Sequence, residues 1–149
     1  MADRISLKWL VEEWNMWDDP YIKNIWLDTE SLDTVRIMQD LDSSSDIEEN
    51  YIDIESDIER FHCMPSRDSL DKYLVMERFA RKLPAEQRDD LMETLSSFRP
   101  EESYRMKIFD FGLEDQFNEF KDKYQASILY EWAKNEKIKV QKDIDTLYL

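Results

Sequence analysis

Few residues in this chain are of the types that do chemistry, and their spacing decides what each could do. His62 and Cys63 are the only imidazole and the only thiol. A Cys–His dyad needs thiol and ring to meet, whereas neighbours on an extended strand project to opposite faces, so a structural role is expected for this pair. The run Asp40-Leu41-Asp42-Ser43-Ser44-Ser45-Asp46-Ile47 sets oxygens at alternate positions, as the start of a calcium loop does. The sixth position of such a loop should be glycine and the twelfth a closing glutamate. Here they are Ser45 and Tyr51, which removes both the sharp turn and the bidentate closure. A glycine-rich phosphate cradle is excluded by composition, because Gly112 is the only glycine. Carboxylates are abundant, yet no pair stands out as the acid and base of a glycosidase. No catalytic residue, cofactor or metal ligand is therefore assigned.

Charge is the strongest signal that remains. The chain holds 35 Asp+Glu against 20 Lys+Arg, a net charge of −15. Residues 1–60 carry 17 acids against 5 bases, and residues 61–149 carry 18 against 15, so the acidity belongs to the front. Such a surface repels a phosphate backbone and an anionic membrane and attracts basic protein surfaces. Solubility alone is the plain alternative.

In the first helix, Trp9 and Met16 stand one heptad apart and point away from the expected buried side, with Glu12 and Glu13 alongside and Asp18 and Asp19 following. Tryptophan is the residue type most enriched in binding hot spots. The expected site is thus Trp9, Glu12, Glu13, Met16, Asp18 and Asp19, presented to a protein partner with a basic surface. A second element of the same domain covering Trp9 and Met16 is the other reading. Three functions follow from this pattern: a non-enzymatic binding protein, a nucleic-acid mimic that inhibits a DNA-binding protein or nuclease, and an enzyme with a carboxylate site. The first is expected, with no cofactor, no direct nucleic-acid contact and no membrane contact.

The elements that must position these residues come from periodicity. Ser6 is placed to cap a helix from Leu7 to about Trp17, with Leu7, Leu10, Val11, Trp14 and Trp17 as its buried side. Asp18-Asp19-Pro20 ends it. Ile22–Asp28, a turn at Thr29–Asp33 and Thr34–Leu41 read as a β-hairpin. Asp42–Glu49 reads as an acidic, Ser-rich loop, and Arg60–Pro65 as a short strand. Ile47–Phe61 fits either a strand or a helix.

From Asp68, a candidate cap, the chain reads as successive helices. Tyr73, Met76, Ala80 and Leu83 line the first. Pro84 opens the second, with Leu91, Met92, Leu95 and Phe98 inward. Pro100 opens the third, through Tyr104, Ile108 and Phe109. Gly112 is placed where a helix end wants positive φ. A long core helix follows from Leu113 to Trp132, with Leu113, Phe117, Phe120, Tyr124, Ile128 and Trp132 on one side. The tail after Asn135 either packs back or pairs with a neighbour, and the tail with the two-sided first helix also allows a homodimer.

The expected fold is α+β in one domain over 1–149: an acidic helix-plus-sheet part (1–66), a helical part (67–135) and a tail (136–149). No apolar run approaches membrane-spanning length, the opening MADRISLKW lacks the pattern of a signal peptide, and a single Cys fits a reducing cytoplasm.

The pattern resembles uncharacterised protein family 0158, small acidic bacterial proteins. The resemblance is carried by the helix ISLKWLVEE, Trp26-Leu27-Asp28, Met76-Glu77-Arg78-Phe79, Tyr104-Arg105, Phe111-Gly112-Leu113, Phe117 with Phe120, and Trp132. Where that family carries glycines before the Tyr-Arg pair, this chain has Ser96-Ser97-Phe98-Arg99-Pro100. The resemblance implies a bacterial cytoplasmic α+β protein and carries no established activity.

Overall fold

Ser6 joins a short strand to a helix. In the computed structural model, which describes residues 4–38 and 59–147, strand β1 (Ile5–Ser6) runs directly into α1 (Leu7–Asn15). Ser6 keeps an extended backbone, and its hydroxyl accepts the Trp9 amide at 3.1 Å, the N-cap geometry expected of it. Leu7, Leu10, Val11 and Trp14 are buried. The chain then tightens into a 3₁₀ turn at Met16–Asp18. That change of period rotates Trp17 off the inner stripe, so it is half-buried where the helical spacing predicts full burial.

The hairpin forms as β2 (Ile22–Asp28) and β3 (Asp33–Met38), and β4 (Phe61–Cys63) joins it to give the antiparallel order β3-β2-β4. Leu27 lies opposite Thr34 and His62, and Trp26 opposite Val35 and Cys63. Ile25 and Leu27 are fully buried on one face, while Ile37 and Phe61 pack with Trp26 and Val35 on the other. The strand expected over Thr34–Leu41 is described as far as Met38. The calcium-like run, the Ser-rich loop and most of Ile47–Phe61 lie outside the described residues.

Two compact units emerge, one of residues up to Ser69 with Ala126 onward, the other Leu70–Gln125. In the second, α2 (Lys72–Arg81) is capped by Asp71, whose carboxylate accepts the Leu74 amide at 3.1 Å. Asp68, the expected cap, sits instead in a preceding 3₁₀ turn, Arg67–Ser69. The inner side of α2 is Val75, Met76, Phe79 and Ala80. Phe79 takes the aromatic place expected of Tyr73 and packs 5.3 Å from Phe117 and 5.5 Å from Phe120, which leaves Tyr73 exposed.

Helix α3 (Ala85–Thr94) follows Pro84, which stands at the cap position rather than in the first turn. Phe98 is 94% exposed against the expectation of burial, because the helix ends at Thr94 and its period no longer sets the residue's direction. In α4 (Pro100–Asp110) the proline occupies the first turn, and Tyr104 and Ile108 face inward. The Tyr104 hydroxyl donates to the Met76 carbonyl at 2.8 Å. Phe109 lies about 100° further round the helix than Ile108 and is 70% exposed.

Gly112 ends α4 at φ 66°, with Leu113 N–H to Ile108 O at 2.9 Å and Gly112 N–H to Phe109 O at 3.0 Å, a Schellman motif. The long helix α5 (Glu114–Asn135) follows. Phe120 and Tyr124 are buried in the helical unit, and Ala126, Leu129 and Ala133 in the sheet unit. Within the sheet unit, the Trp132 indole donates to the Cys63 carbonyl at 3.1 Å.

The second Schellman motif closes α5, with Ile138 N–H to Ala133 O at 2.8 Å and Lys137 at φ 60° in the position Gly112 holds in the first. The tail packs back. Strand β5 (Val140–Gln141) pairs in parallel with β1, Ile5 opposite Val140. Asp143 accepts the Lys8 amide at 2.8 Å and the Ser6 hydroxyl, and the Ser127 hydroxyl bonds both backbone groups of Leu147. Burial opposes charge on the Asp143 carboxyl, but these donors outweigh it and hold the group below its usual value.

Candidate functional site

The six residues predicted as a site divide into two sets. Glu13 is nearly covered: it accepts the Thr34 hydroxyl at 2.6 Å and pairs with Arg36 at 3.2 Å, which fastens α1 to β3. Asp18 accepts Arg67 at 2.9 Å. The Arg67 guanidinium lies 4.6 Å over the Trp14 ring, and the Trp14 indole donates to the Pro65 carbonyl at 2.9 Å. These two carboxylates brace the unit.

The other four residues remain towards solvent. Met16 is 49% exposed and Trp9 half-buried. Glu12, exposed between them, has no ion-pair partner among the described residues. Asp19 is exposed and accepts the Tyr21 amide at 2.9 Å. Trp9, Glu12 and Met16 recur at the spacing that puts them on one side of a helix.

The strongest electrostatic feature escaped the sequence. Arg60 grips Asp28 through Nε and Nη2, both at 2.7 Å, and its guanidinium lies 4.9 Å over the Phe61 ring. Arg60 holds the Asp28 carboxyl well below the usual carboxylate range; burial opposes this, and the Ser31 and Glu30 amides add to it. Residues 32 positions apart leave no local pattern to read.

A cavity of about 310 Å³ lies in the same unit, bordered among others by Thr29, Leu32, His62, Glu136, Lys137 and Ile138. His62 Nε2 is 3.0 Å from the Glu59 carbonyl, and Nδ1 is 3.6 Å from Glu136. The β4 register puts Cys63 on the opposite face from His62, as the alternation rule predicts. Burial, and then the Glu136 carboxylate, pushes the Cys63 thiol up, away from the thiolate a nucleophile needs. The Thr29 hydroxyl is committed to the Arg60 carbonyl at 2.9 Å. Among the described residues no activated nucleophile stands beside the ring and carboxylate. Among the described residues no three metal-ligating side chains converge, and no helix is long and apolar enough to cross a membrane.

The helical unit carries a wider groove of about 700 Å³ between α4 and the first turns of α5, lined by Arg105, Met106, Phe109, Asp110, Phe117 and Asn118 among others. Phe109 belongs to this groove because it points away from the buried Tyr104 and Ile108 side of the helix.

Compared with known proteins, the chain matches no family model, no curated protein and no solved structure.

Proposed function

We propose that the protein is a non-enzymatic binding protein that presents the outer side of α1 to a protein partner with a basic surface. The observation that supports this reading is the row Trp9, Glu12, Met16: two incompletely covered apolar side chains around a carboxylate that no basic group of the described residues neutralises. A partner's lysine or arginine meets Glu12 and Asp19, and apolar contact with Trp9 and Met16 supplies the desolvated centre that an interface needs. The lone, protonated Cys63 is compatible with action in the cytoplasm.

The reading as a nucleic-acid mimic has less support, because Arg36, Arg67 and Arg60 engage Glu13, Asp18 and Asp28 and take three carboxylates out of any phosphate-like row. The resemblance to family 0158 rests largely on packing residues such as Phe79, Tyr104, Phe117 and Phe120, so it speaks to fold rather than chemistry.

Parallel affinity capture with the wild-type chain and a Trp9→Ala/Met16→Ala variant tests the proposal. The wild type is expected to retain a basic protein that elutes with salt, and the folded variant to lose at least about tenfold in affinity, the cost of one or two hot-spot side chains. Equal retention by both chains refutes it.

A further inference from the structure

Beyond α5 the chain is held by polar contacts more than by burial. Ala126, Leu129 and Ala133 are fully buried in the second half of that helix, but none of residues 134–147 is buried. The tail leaves the helix through Lys137, whose φ of 60° strains a residue that carries a Cβ. It is then pinned at separate points. The Ile5 amide donates to the Lys139 carbonyl at 3.1 Å, Asp143 accepts from the first turn of α1, and the Leu147 amide donates to the Ser127 hydroxyl at 2.6 Å. Every one of these partners belongs to the sheet unit.

The contact with α1 has a direction built into it. Asp143 Oδ1 accepts the Lys8 amide at 2.8 Å, and Oδ2 accepts the Ser6 hydroxyl. A hydroxyl has one proton and two lone pairs. With its proton committed to Asp143, the Ser6 oxygen turns a lone pair to the Trp9 amide, 3.1 Å away. The tail thereby completes the hydrogen bonding of the turn that carries Trp9.

We propose that residues 138–147 are a strap that opens as one unit while the rest of the chain stays folded, and that its docking sets the order of the turn of Lys8 and Trp9. Opening costs little because no side chain of the strap is buried, and it lets Lys137 relax from its strained backbone. With the strap away, the Lys8 amide has lost its acceptor and Ser6 the group that orients its hydroxyl. The regulatory meaning rests on α1 being the docking face proposed above. A partner that needs Trp9 in place holds the strap down, and release of the strap weakens that partner by the same factor. The opening itself stands apart from that reading.

Amide hydrogen exchange of the full chain, followed residue by residue by NMR, tests this. After correction for intrinsic rates, the Leu147, Lys8 and Trp9 amides are expected to open together, at least about a hundredfold more readily than those of Leu129 and Ala133. Ser127→Ala removes an anchor that bonds neither Lys8 nor Trp9, yet should speed exchange of both about fivefold or more, with Ile25 and Leu27 unchanged. Asp143→Ala, at an exposed site, should in turn speed the Leu147 amide, which Asp143 does not bond. Lys8 and Trp9 amides as slow as those of Leu129 and Ala133 overturn the strap, because the tail then opens only with the whole chain. Lys8 and Trp9 indifferent to Ser127→Ala, or Leu147 indifferent to Asp143→Ala, overturn the coupling. All of these rates are read on the free chain, so they stand or fall separately from affinity capture with the Trp9→Ala/Met16→Ala variant.

Discussion

Asp28 ties three segments of the sheet unit together. Its carboxylate takes two bonds from Arg60 and also accepts the Glu30 and Ser31 amides of the hairpin turn, so one buried side chain joins β2, the turn and the approach to β4. The folded carboxyl is held below its unfolded value. Its stabilisation is therefore complete above the ordinary carboxylate range near pH 4 and is lost as pH falls through the folded value. Asp28→Asn should cost about 2 kcal/mol at pH 7, less than breaking a fully buried pair because Arg60 keeps one side in water. It should also flatten the acid limb below pH 4. Urea unfolding of both chains at pH 7 and pH 3, with the difference shrinking at the lower pH, is the check. No sequence rule finds this residue, since the ion pair exists only once two distant segments meet.

At the scale of elements, the two Schellman motifs form a natural pair. Gly112 at φ 66° and Lys137 at φ 60° do the same backbone job, one with the residue type suited to it and one without. A Cβ at Gly112 would meet nothing within 4 Å, so Gly112→Ala should cost only the conformational term, about 1 kcal/mol, with no steric addition. Lys137→Gly should stabilise by about 0.5–1 kcal/mol as the strain is relieved. Thermal unfolding of the two variants should shift in opposite directions.

Local signals made much of this legible. The Ser6 cap, the hairpin from Ile22, the short strand at Phe61, Gly112 and the long helix all follow from caps, turns and periods that act within a few residues. What local periodicity could not give was direction beyond a helix end, as at Phe98, or the choice between two near-equivalent caps, Asp68 and Asp71. The division of the acidic site was equally hidden. Glu13 and Asp18 look the same as Glu12 and Asp19 until Arg36 and Arg67 are placed, and those arginines arrive from other elements.

For the molecule as a whole, net charge is the dominant long-range term. Fifteen excess negative charges on 149 residues repel one another, and the repulsion reaches about 30 Å at 10 mM salt but only about 8 Å at 150 mM. Raising sodium chloride across that range should increase stability by about 1 kcal/mol, or about 2–4 °C in Tm for a chain of this size. Differential scanning calorimetry at the two salt concentrations measures it. A fall in Tm would mean that pairs such as Arg67–Asp18 outweigh the general repulsion.

Asp143 accepts hydrogen bonds from Ser6 and from the Lys8 amide, groups made about 135 residues earlier. During synthesis the Lys8 amide therefore lacks this acceptor until Asp143, 135 residues later, has been made. An element made early is thus completed by a side chain made long after it.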